Sequence, residues 1–205
     1  MKRVGGGERT FESQMEYHLA DGRSPHFDVG QPDRIKLARV LLNRSITRLE
    51  TPGQALKIVE LGCGAGDVTG PWAGTHDVIG IDVVPQSQIE CNTRWPDMTF
   101  MLRPVEEVCP IECDILVMTE FLEHVSDPVT ITREWMRLAK EAIIGHPLDE
   151  PDPPFEGGHF WSYDLEDFDA WFTANGYTIV EKFIFPMGPW PRMVIGNGGR
   201  LPPAA

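Results

Sequence analysis

The chain has 205 residues, and its 31 acidic side chains against 18 lysines and arginines give a formal net charge of −13. This length suits one domain with a substantial core, and the negative charge repels polyanions, so we expect no nucleic-acid partner. The sequence has no apolar run of membrane-spanning length, and its four cysteines form neither a C-x-x-C pair nor a dense disulfide pattern. We therefore expect a reduced, cytoplasmic protein without a membrane partner.

The predicted elements alternate between helices and strands from residue 32 onward. Apolar residues at helical spacing predict a first helix that is closed by Thr51–Gly53. Continuous apolar runs predict strands at 56–61, 78–82, 99–102, 114–118 and 142–145. Further helices are predicted to begin at Ser126–Pro128 and at Asp164, and a closing hairpin is predicted at 177–185 and 192–196. This alternation is typical of a doubly wound α/β sheet.

We divide the chain into three parts on this pattern. Residues 1–31 form an N-terminal arm and cap, whose first ten residues are expected to be mobile. Residues 32–197 form the α/β domain, and residues 198–205 form a flexible tail. No internal repeat interrupts this organisation.

Three glycines at alternate positions follow the first predicted strand: Gly62, Gly64 and Gly66. Such a turn lets a polar cofactor lie against bare backbone, because glycine adopts φ values that are closed to other residues. A dinucleotide fingerprint would need glycine at the sixth place of G-x-G-x-x-G, where this chain has Asp67. Instead, one acid, Glu60, precedes the glycines, and a second acid, Asp82, ends the next strand.

This combination resembles motif I and the following ribose-binding acid of the class I S-adenosylmethionine-dependent methyltransferases. The segment Glu120–Val125 is similar to the motif after the fourth strand in the same superfamily. The resemblance covers residues 56–195, and it implies a single doubly wound, seven-stranded, mostly parallel sheet with an antiparallel last strand. It also implies S-adenosylmethionine as the cofactor, whereas its motifs do not specify the methyl acceptor.

The resemblance further implies which residues bind the cofactor. Glu60 would favour the α-ammonium group, Asp82 would bind both ribose hydroxyls, and Val83 would pack against adenine. The backbone amide of Val105 would reach the adenine edge, although Pro104 stands where many relatives carry an acid. The complete expected set is Glu60, Gly62, Gly64, Gly66, Asp82, Val83, Val105 and Thr119.

Two histidines, His124 and His146, are the candidate catalytic bases. Each is expected at the carboxyl edge of the sheet, and imidazole titrates near neutrality. The alternative for either residue is a structural histidine that hydrogen-bonds to loop backbone.

The segment after the fourth strand allows two interpretations. Its E-x-x-E-H spacing with a distant histidine is similar to the divalent-metal site of the small-RNA terminal 2′-O-methyltransferases. That interpretation makes metal ligands of Glu120, Glu123, His124 and His159. The same E-x-x-E-H-V sequence also occurs in metal-free relatives such as the ubiquinone-biosynthesis O-methyltransferases, where it packs the loop. We favour the metal-free interpretation, because the acidic charge disfavours RNA and sequence spacing does not bring His159 to the other residues.

We therefore expect methyl transfer from S-adenosylmethionine to an oxygen or nitrogen of a small molecule or glycan precursor. The alternatives are a metal-assisted small-RNA 2′-O-methyltransferase and a non-catalytic cofactor-binding module. The proline-rich segment Pro147–His159 is a candidate lid over the acceptor site, and residues 18–27 are the other candidate location for that site. No oligomeric state is predicted.

Overall fold

The computed structural model describes residues 1–4, 32–151, 158–187 and 190–200. Its nine strands are β1 (Lys2–Arg3), β2 (Lys57–Leu61), β3 (Asp77–Asp82), β4 (Thr99–Leu102), β5 (Cys113–Thr119), β6 (Ala139–Leu148), β7 (Trp161–Ser162), β8 (Tyr177–Met187) and β9 (Trp190–Arg200). Its helices are α1 (Pro32–Leu49), α2 (Pro85–Arg94), α3 (Pro128–Met136) and α4 (Leu165–Thr173).

Seven strands form one sheet in the order β4-β3-β2-β5-β6-β9-β8. Strands β2 to β6 pair in parallel, and the last strand, β9, is antiparallel to both of its neighbours. This arrangement confirms the predicted fold class.

Both faces of the sheet are covered, as the apolar strand sequences predict. Side chains alternate along β2, so Ile58 packs with the buried face of α1 and Val59 packs on the other side with α3 and α4. Two separate apolar clusters result, and they hold the sheet between layers of helix. Among the described residues, no helix is both long and apolar enough to cross a bilayer. All four cysteines are free thiols.

The structure corrects the predicted extent of β6. This strand was expected at 142–145, but it runs from Ala139 to Leu148 because β9 pairs with its whole length, as far as Leu148 opposite Arg192. Pro147 does not end the strand, and His146 lies inside it rather than beyond its carboxyl end. The connection between β2 and β3 contains a short 3-10 turn at Gly70–Trp72.

The ends of the described chain differ from the expected arm and tail. Lys2 and Arg3 pair with Ser162 and Trp161 in a separate two-stranded sheet, and Val4 is buried. At the other end, β9 continues through residues 198–200, which therefore belong to the sheet. The remainder of the arm, at residues 5–31, and the last five residues lie outside the described residues, as does the alternative acceptor site at residues 18–27.

Helix α4 begins at the predicted cap, Asp164, and the structure shows that this cap is reciprocal. The side chain of Asp164 accepts a hydrogen bond from the Asp167 amide at 2.8 Å, and the Asp167 side chain accepts one from the Asp164 amide at 3.2 Å.

Replacement of Asp164 by alanine should lower the free energy of unfolding by about 1 kcal/mol, because an amide of the first turn loses its acceptor. Chemical denaturation measures the change. The control is Glu166→Ala, at an exposed acid of the same first turn that caps no amide, and it should lose less. Equal losses in the two variants would contradict the role of the cap.

Candidate active site

The register of the parallel strands brings the predicted site residues to one edge of the sheet. Leu61, at the end of β2, pairs with Ile81 of β3 and with Met118 of β5. The residues that follow these three positions must therefore lie side by side. In an open parallel sheet this carboxyl edge is where ligands bind.

The glycine loop after β2 turns sharply against β3. The amides of Gly62 and Cys63 both donate to the Ile81 carbonyl, at 2.9 and 3.2 Å. All three glycines of the loop have positive φ, at 68°, 50° and 76°. A side chain at Gly62 would stand 2.7 Å from the ring of Phe121, whereas a side chain at Gly64 would meet no atom within 4 Å. The backbone of Gly64 is thus the part of the loop that borders open space, where a ligand can approach it closely.

Asp82 holds this loop in position from the end of β3. Its two carboxylate oxygens accept hydrogen bonds from the amides of Gly64, at 2.8 Å, and Val84, at 2.9 Å. Each carboxylate oxygen can accept a second hydrogen bond, so these contacts leave capacity for a hydroxyl ligand. Asp82 and the next residue, Val83, are both half-buried, which is compatible with the predicted ribose and adenine contacts.

Asp67 fastens the far end of the loop to two helices. Its carbonyl accepts hydrogen bonds from the guanidinium of Arg39 in α1, the shorter at 2.5 Å. Its carboxylate forms an ion pair of 2.5 Å with Arg94 in α2. Asp67 stands where a dinucleotide-binding loop has glycine, and here it supplies an anchor.

Glu60 is only 2% exposed, and its carboxyl group accepts a hydrogen bond of 2.5 Å from the hydroxyl of Thr69. Burial raises its pKa to about 8, against the smaller opposing effects of Thr69 and the Arg34 charge. At neutral pH this carboxyl group is therefore mostly protonated, and an adjacent cation would restore its charge.

Arg34 is a residue that our sequence analysis missed. It is 8% exposed, lies in the first turn of α1 and donates to the hydroxyl of Thr119 at 3.4 Å. Its positive charge lowers the pKa of Glu60 and that of Glu123, so the guanidinium lies close to both. A signal was present in the sequence, since Arg34 precedes the buried Ala38 by one helical turn.

Two further predicted cofactor residues take buried positions. Val105 begins a 3-10 turn at Val105–Glu107, and its side chain packs in the core. Thr119 is the last residue of β5 and is likewise buried. Their contacts with a cofactor stay predictions.

Residues of the E-x-x-E-H segment and the distant histidine converge. Candidate ligand atoms of Glu123, His124 and His159 all lie within 4.8 Å of one another. Glu120, the fourth residue of the predicted set, has a φ of 53° and is not part of this group. Burial and the charge of Glu120 raise the pKa of Glu123 well above its usual range.

The flanks of the candidate lid are attached to the domain. The amide of Asp149 donates to the Tyr163 carbonyl at 2.8 Å, and the carboxylate of Glu150 bonds to His159 at 2.5 Å. The centre of the segment, residues 152–157, lies outside the described residues. The lid therefore stays a prediction.

The placement of His146 is incompatible with its predicted role as a base. Its side chain is fully buried within β6, and its ring packs against Tyr163 and Phe168 at 4.5 and 5.6 Å between centroids. Burial lowers its pKa to about 4, and Nδ1 bonds to the Pro147 carbonyl. We therefore assign His146 a structural role. His124 is only partly buried, and its Nδ1 bonds to the Gly158 carbonyl at 3.1 Å.

Comparison with known proteins supports the fold at the level of architecture. A family model described as "Methyltransferase domain" matches residues 59–142. The structure is similar to magnesium protoporphyrin IX methyltransferase from Synechocystis PCC 6803, determined with bound S-adenosylmethionine, with a TM-score of 0.73, 15% identity, and coverage of 97% of this chain and 100% of that one.

Two further solved structures are similar. The N-methyltransferase NodS from Bradyrhizobium japonicum WM9, in complex with S-adenosylhomocysteine, gives a TM-score of 0.71 at 18% identity, with 94% of this chain and 99% of that one covered. The 1,6-didemethyltoxoflavin-N1-methyltransferase from Burkholderia thailandensis gives 0.67 at 16% identity, with 98% and 94% covered. A comparison with curated proteins gave no match.

The open side of Gly64 predicts that a branched side chain there will block ligand binding. Gly64→Val should abolish measurable binding of S-adenosylhomocysteine in calorimetric titration, because the side chain would occupy the space that the backbone borders. The matched control is Gly53→Val, since Gly53 also has positive φ and open space around it but lies outside the site.

Both substitutions strain the backbone, so circular dichroism and thermal unfolding should show similar losses of stability. Only Gly64→Val should lose ligand affinity. Normal binding by a folded Gly64→Val protein would mean that the loop is a turn without a ligand role.

Proposed function

We propose that this chain, which has the fold of the class I S-adenosylmethionine-dependent methyltransferases, transfers a methyl group to an oxygen or nitrogen of a small molecule or glycan precursor. The observation that carries the proposal is the placement of Glu60, Gly64 and Asp82 at one edge of the sheet. Bound S-adenosylmethionine supplies the reactive methyl group, so the residues of the chain have to bind and orient the cofactor and the acceptor.

The residues present fit the different parts of this cofactor. Arg34 and Glu60 are both buried, and the charge of Arg34 lowers the pKa of Glu60, so the two groups suit the carboxylate and the ammonium of the methionine portion. Gly64 has no side chain, which leaves room for the methionine portion of the cofactor to approach the backbone. Asp82 can still accept hydrogen bonds from the ribose hydroxyls. Residues near one edge of the sheet thus support the proposal for three different parts of the cofactor.

A small acceptor agrees with the charge of the chain and with its structural neighbours. The net charge of −13 disfavours an RNA substrate, which weighs against the small-RNA alternative. Two of the similar structures are named as methyltransferases of a porphyrin and of a toxoflavin precursor. His124 is the candidate base for deprotonation of the acceptor, because it follows the carboxyl end of β5 and is only partly buried.

A cytoplasmic location is part of the proposal, because all four cysteines are free thiols. A non-catalytic module would bind the cofactor equally well. Turnover separates the two functions, since only an enzyme converts S-adenosylmethionine to S-adenosylhomocysteine when an acceptor is supplied.

Asp82→Ala tests the ribose contact. We expect the affinity for S-adenosylhomocysteine to fall by about 1.5 to 3 kcal/mol, because hydrogen bonds to a charged acceptor are lost and the Gly64 amide loses its partner. Calorimetry measures the change. The control is Asp77→Ala, at an exposed acid that begins the same strand, and it should bind like the wild type. Unchanged affinity in folded Asp82→Ala protein would remove Asp82 from the site.

Binding of S-adenosylhomocysteine should release about one proton per protein near pH 7, because Glu60, with a pKa of about 8, becomes ionised beside the incoming ammonium group. The apparent affinity should accordingly rise as the pH increases towards 8 and then level off. Titration calorimetry in buffers of different ionisation enthalpy counts the proton.

Glu60→Gln should bind more weakly and without this proton release, since glutamine has no proton to lose. Release that persists in Glu60→Gln would assign the proton to another group, with Glu123 the first to examine. Absence of release in the wild type would contradict the proposed ammonium contact.

A further inference from the structure

The three glycines of the loop after β2 differ in what surrounds them. A side chain at Gly64 would meet no atom within 4 Å, whereas one at Gly62 would stand 2.7 Å from the ring of Phe121. A side chain at Gly66 would stand 2.9 Å from Cδ1 of Trp95. The outer two glycines therefore border aromatic rings of the protein itself, and the middle one borders open space.

Trp95 also fills the space beside a fourth glycine, Gly70, which begins the 3-10 turn Gly70–Trp72. A side chain at Gly70 would stand 2.5 to 2.6 Å from three atoms of the Trp95 ring, whereas carbon atoms in contact lie about 3.5 to 4.0 Å apart. One of the three is Cγ, which is bonded to Cβ of Trp95, so rotation of the ring about that bond would leave the clash in place. Because Gly70 has no positive φ, the close approach of Trp95 accounts for glycine at this position.

The indole of Trp95 is also hydrogen-bonded to the loop itself. Its Nε1 donates to the carbonyl of Ala65, between Gly64 and Gly66, at 3.1 Å. The backbone of Trp95 is attached to the end of α2, where its amide donates to the Cys91 carbonyl at 2.7 Å. The side chain therefore links the last turn of α2 to the centre of the glycine loop.

The contact between Trp95 and the loop lies on the side of the core. The other atoms that a side chain at Gly66 would meet are Sδ of Met98, at 3.1 Å, and Sγ of Cys91, at 3.2 Å. Both residues are buried in the apolar cluster that packs against α1, and Trp95 is partly buried against the same cluster. The missing side chain of Gly66 thus makes room for the core of the protein.

We propose that Trp95 is a positioning residue of the cofactor loop, and that the absent side chains of Gly66 and Gly70 make room for its ring rather than for the ligand. This gives Gly66 a role different from the cofactor contact that the resemblance implies, and it leaves Gly64 as the position where the cofactor approaches the backbone. The effect on cofactor binding rests on the proposed function, whereas the support of the loop by Trp95 does not.

A supported loop changes affinity through the entropy of binding. Without Trp95 the loop would sample several conformations, and binding would have to select one of them at a cost in conformational entropy. Variants of Trp95 should therefore bind the ligand more weakly, although they remove none of the proposed ligand contacts.

Gly70→Ala tests the contact, with Gly74→Ala as the matched control. Both glycines lie in the β2–β3 connection and neither has positive φ, but a side chain at Gly74 would meet only a carboxylate oxygen of Asp97, at 3.8 Å. Gly70→Ala should bind S-adenosylhomocysteine more weakly by about 10-fold or more in calorimetric titration, because the added methyl group displaces the ring. Gly74→Ala should bind it like the wild type. Equal affinity in the two variants would overturn the proposal.

Trp95→Ala completes a double-mutant cycle. This variant alone should also weaken binding by about 10-fold, since the loop loses its support. Adding Gly70→Ala to it should have little further effect on affinity or on thermal unfolding, because the ring that causes the clash is absent. Losses that simply add in the double variant would show that the two residues act independently, which would overturn the proposed contact.

Trp95→Phe isolates the hydrogen bond, and it replaces Trp95→Ala if circular dichroism shows that the alanine variant does not fold. Its control is Trp161→Phe, which likewise removes an indole hydrogen bond to a backbone carbonyl, that of Val125 at 2.8 Å. Trp95→Phe should weaken binding of S-adenosylhomocysteine by about 3- to 10-fold, the scale of one hydrogen bond. Trp161→Phe should leave it unchanged. Losses of the same size in both variants would assign the effect to general stability and would overturn the positioning role.

Hydrogen exchange measured by NMR without ligand separates this proposal from the proposed function. The amides of Gly66 and Gly70 donate to the carbonyls of Cys63 and Gly66, each at 2.9 Å. In the Trp95 variants they should exchange about 10-fold faster than in the wild type, relative to the amides of β6. Unchanged exchange in a folded variant, or faster exchange with unchanged affinity, would overturn the proposal. Faster exchange in the variants of a protein whose wild type binds no S-adenosylhomocysteine would count against the proposed function alone.

Discussion

The parallel pairing of β2 with β3 and β5 is the constraint on which the site depends. Each strand contributes a short polar sequence at its carboxyl end, and these sequences become one site only because Leu61 is level with Ile81 and Met118. A shift of one residue in this register would exchange the two faces of β2 and place Glu60 on the wrong side of the sheet. The two apolar clusters oppose such a shift, because each takes alternate side chains of the strand. Core packing thus fixes the position of the polar groups.

Burial opposes the ionisation of the two carboxyl groups at this site. Glu60 and Glu123 are buried, and the charge of Arg34 lowers the pKa of both against the larger opposing effect of burial. Apolar residues in these places would stabilise the fold more, since burial of ionisable groups costs free energy that their mutual attraction seldom recovers in full. Groups of this kind are concentrated where proteins bind ligands and catalyse reactions. The arrangement therefore favours ligand binding at some expense of stability.

The sequence predicted the elements that local signals define. The glycine loop, the acids near the carboxyl ends of β2 and β3 and the cap at Asp164 are short patterns with one physical explanation each. The error at His146 has a different origin, because the length of β6 is set by its pairing with β9, which local sequence does not report. Convergence of His159 with Glu123 depends on the path of a loop, and in the sequence analysis only the alternative, metal-binding interpretation brought these residues together. Arg34 could have been found from its helical spacing, whereas nothing in the sequence indicated that Glu150 contacts His159.

Under the proposed function, the anchoring of the loop at Asp67 bears on how the protein would handle its cofactor over a reaction cycle. Arg39 and Arg94 hold one end of the loop, and Asp82 holds its centre, through contacts that the protein makes with itself. Little conformational entropy then has to be lost on binding, so the affinity is not reduced by ordering of the loop. The same rigidity gives the methylated donor and its demethylated product an identical surface. Discrimination between the two, and with it product release, must come from groups that contact the sulfur atom rather than from this loop.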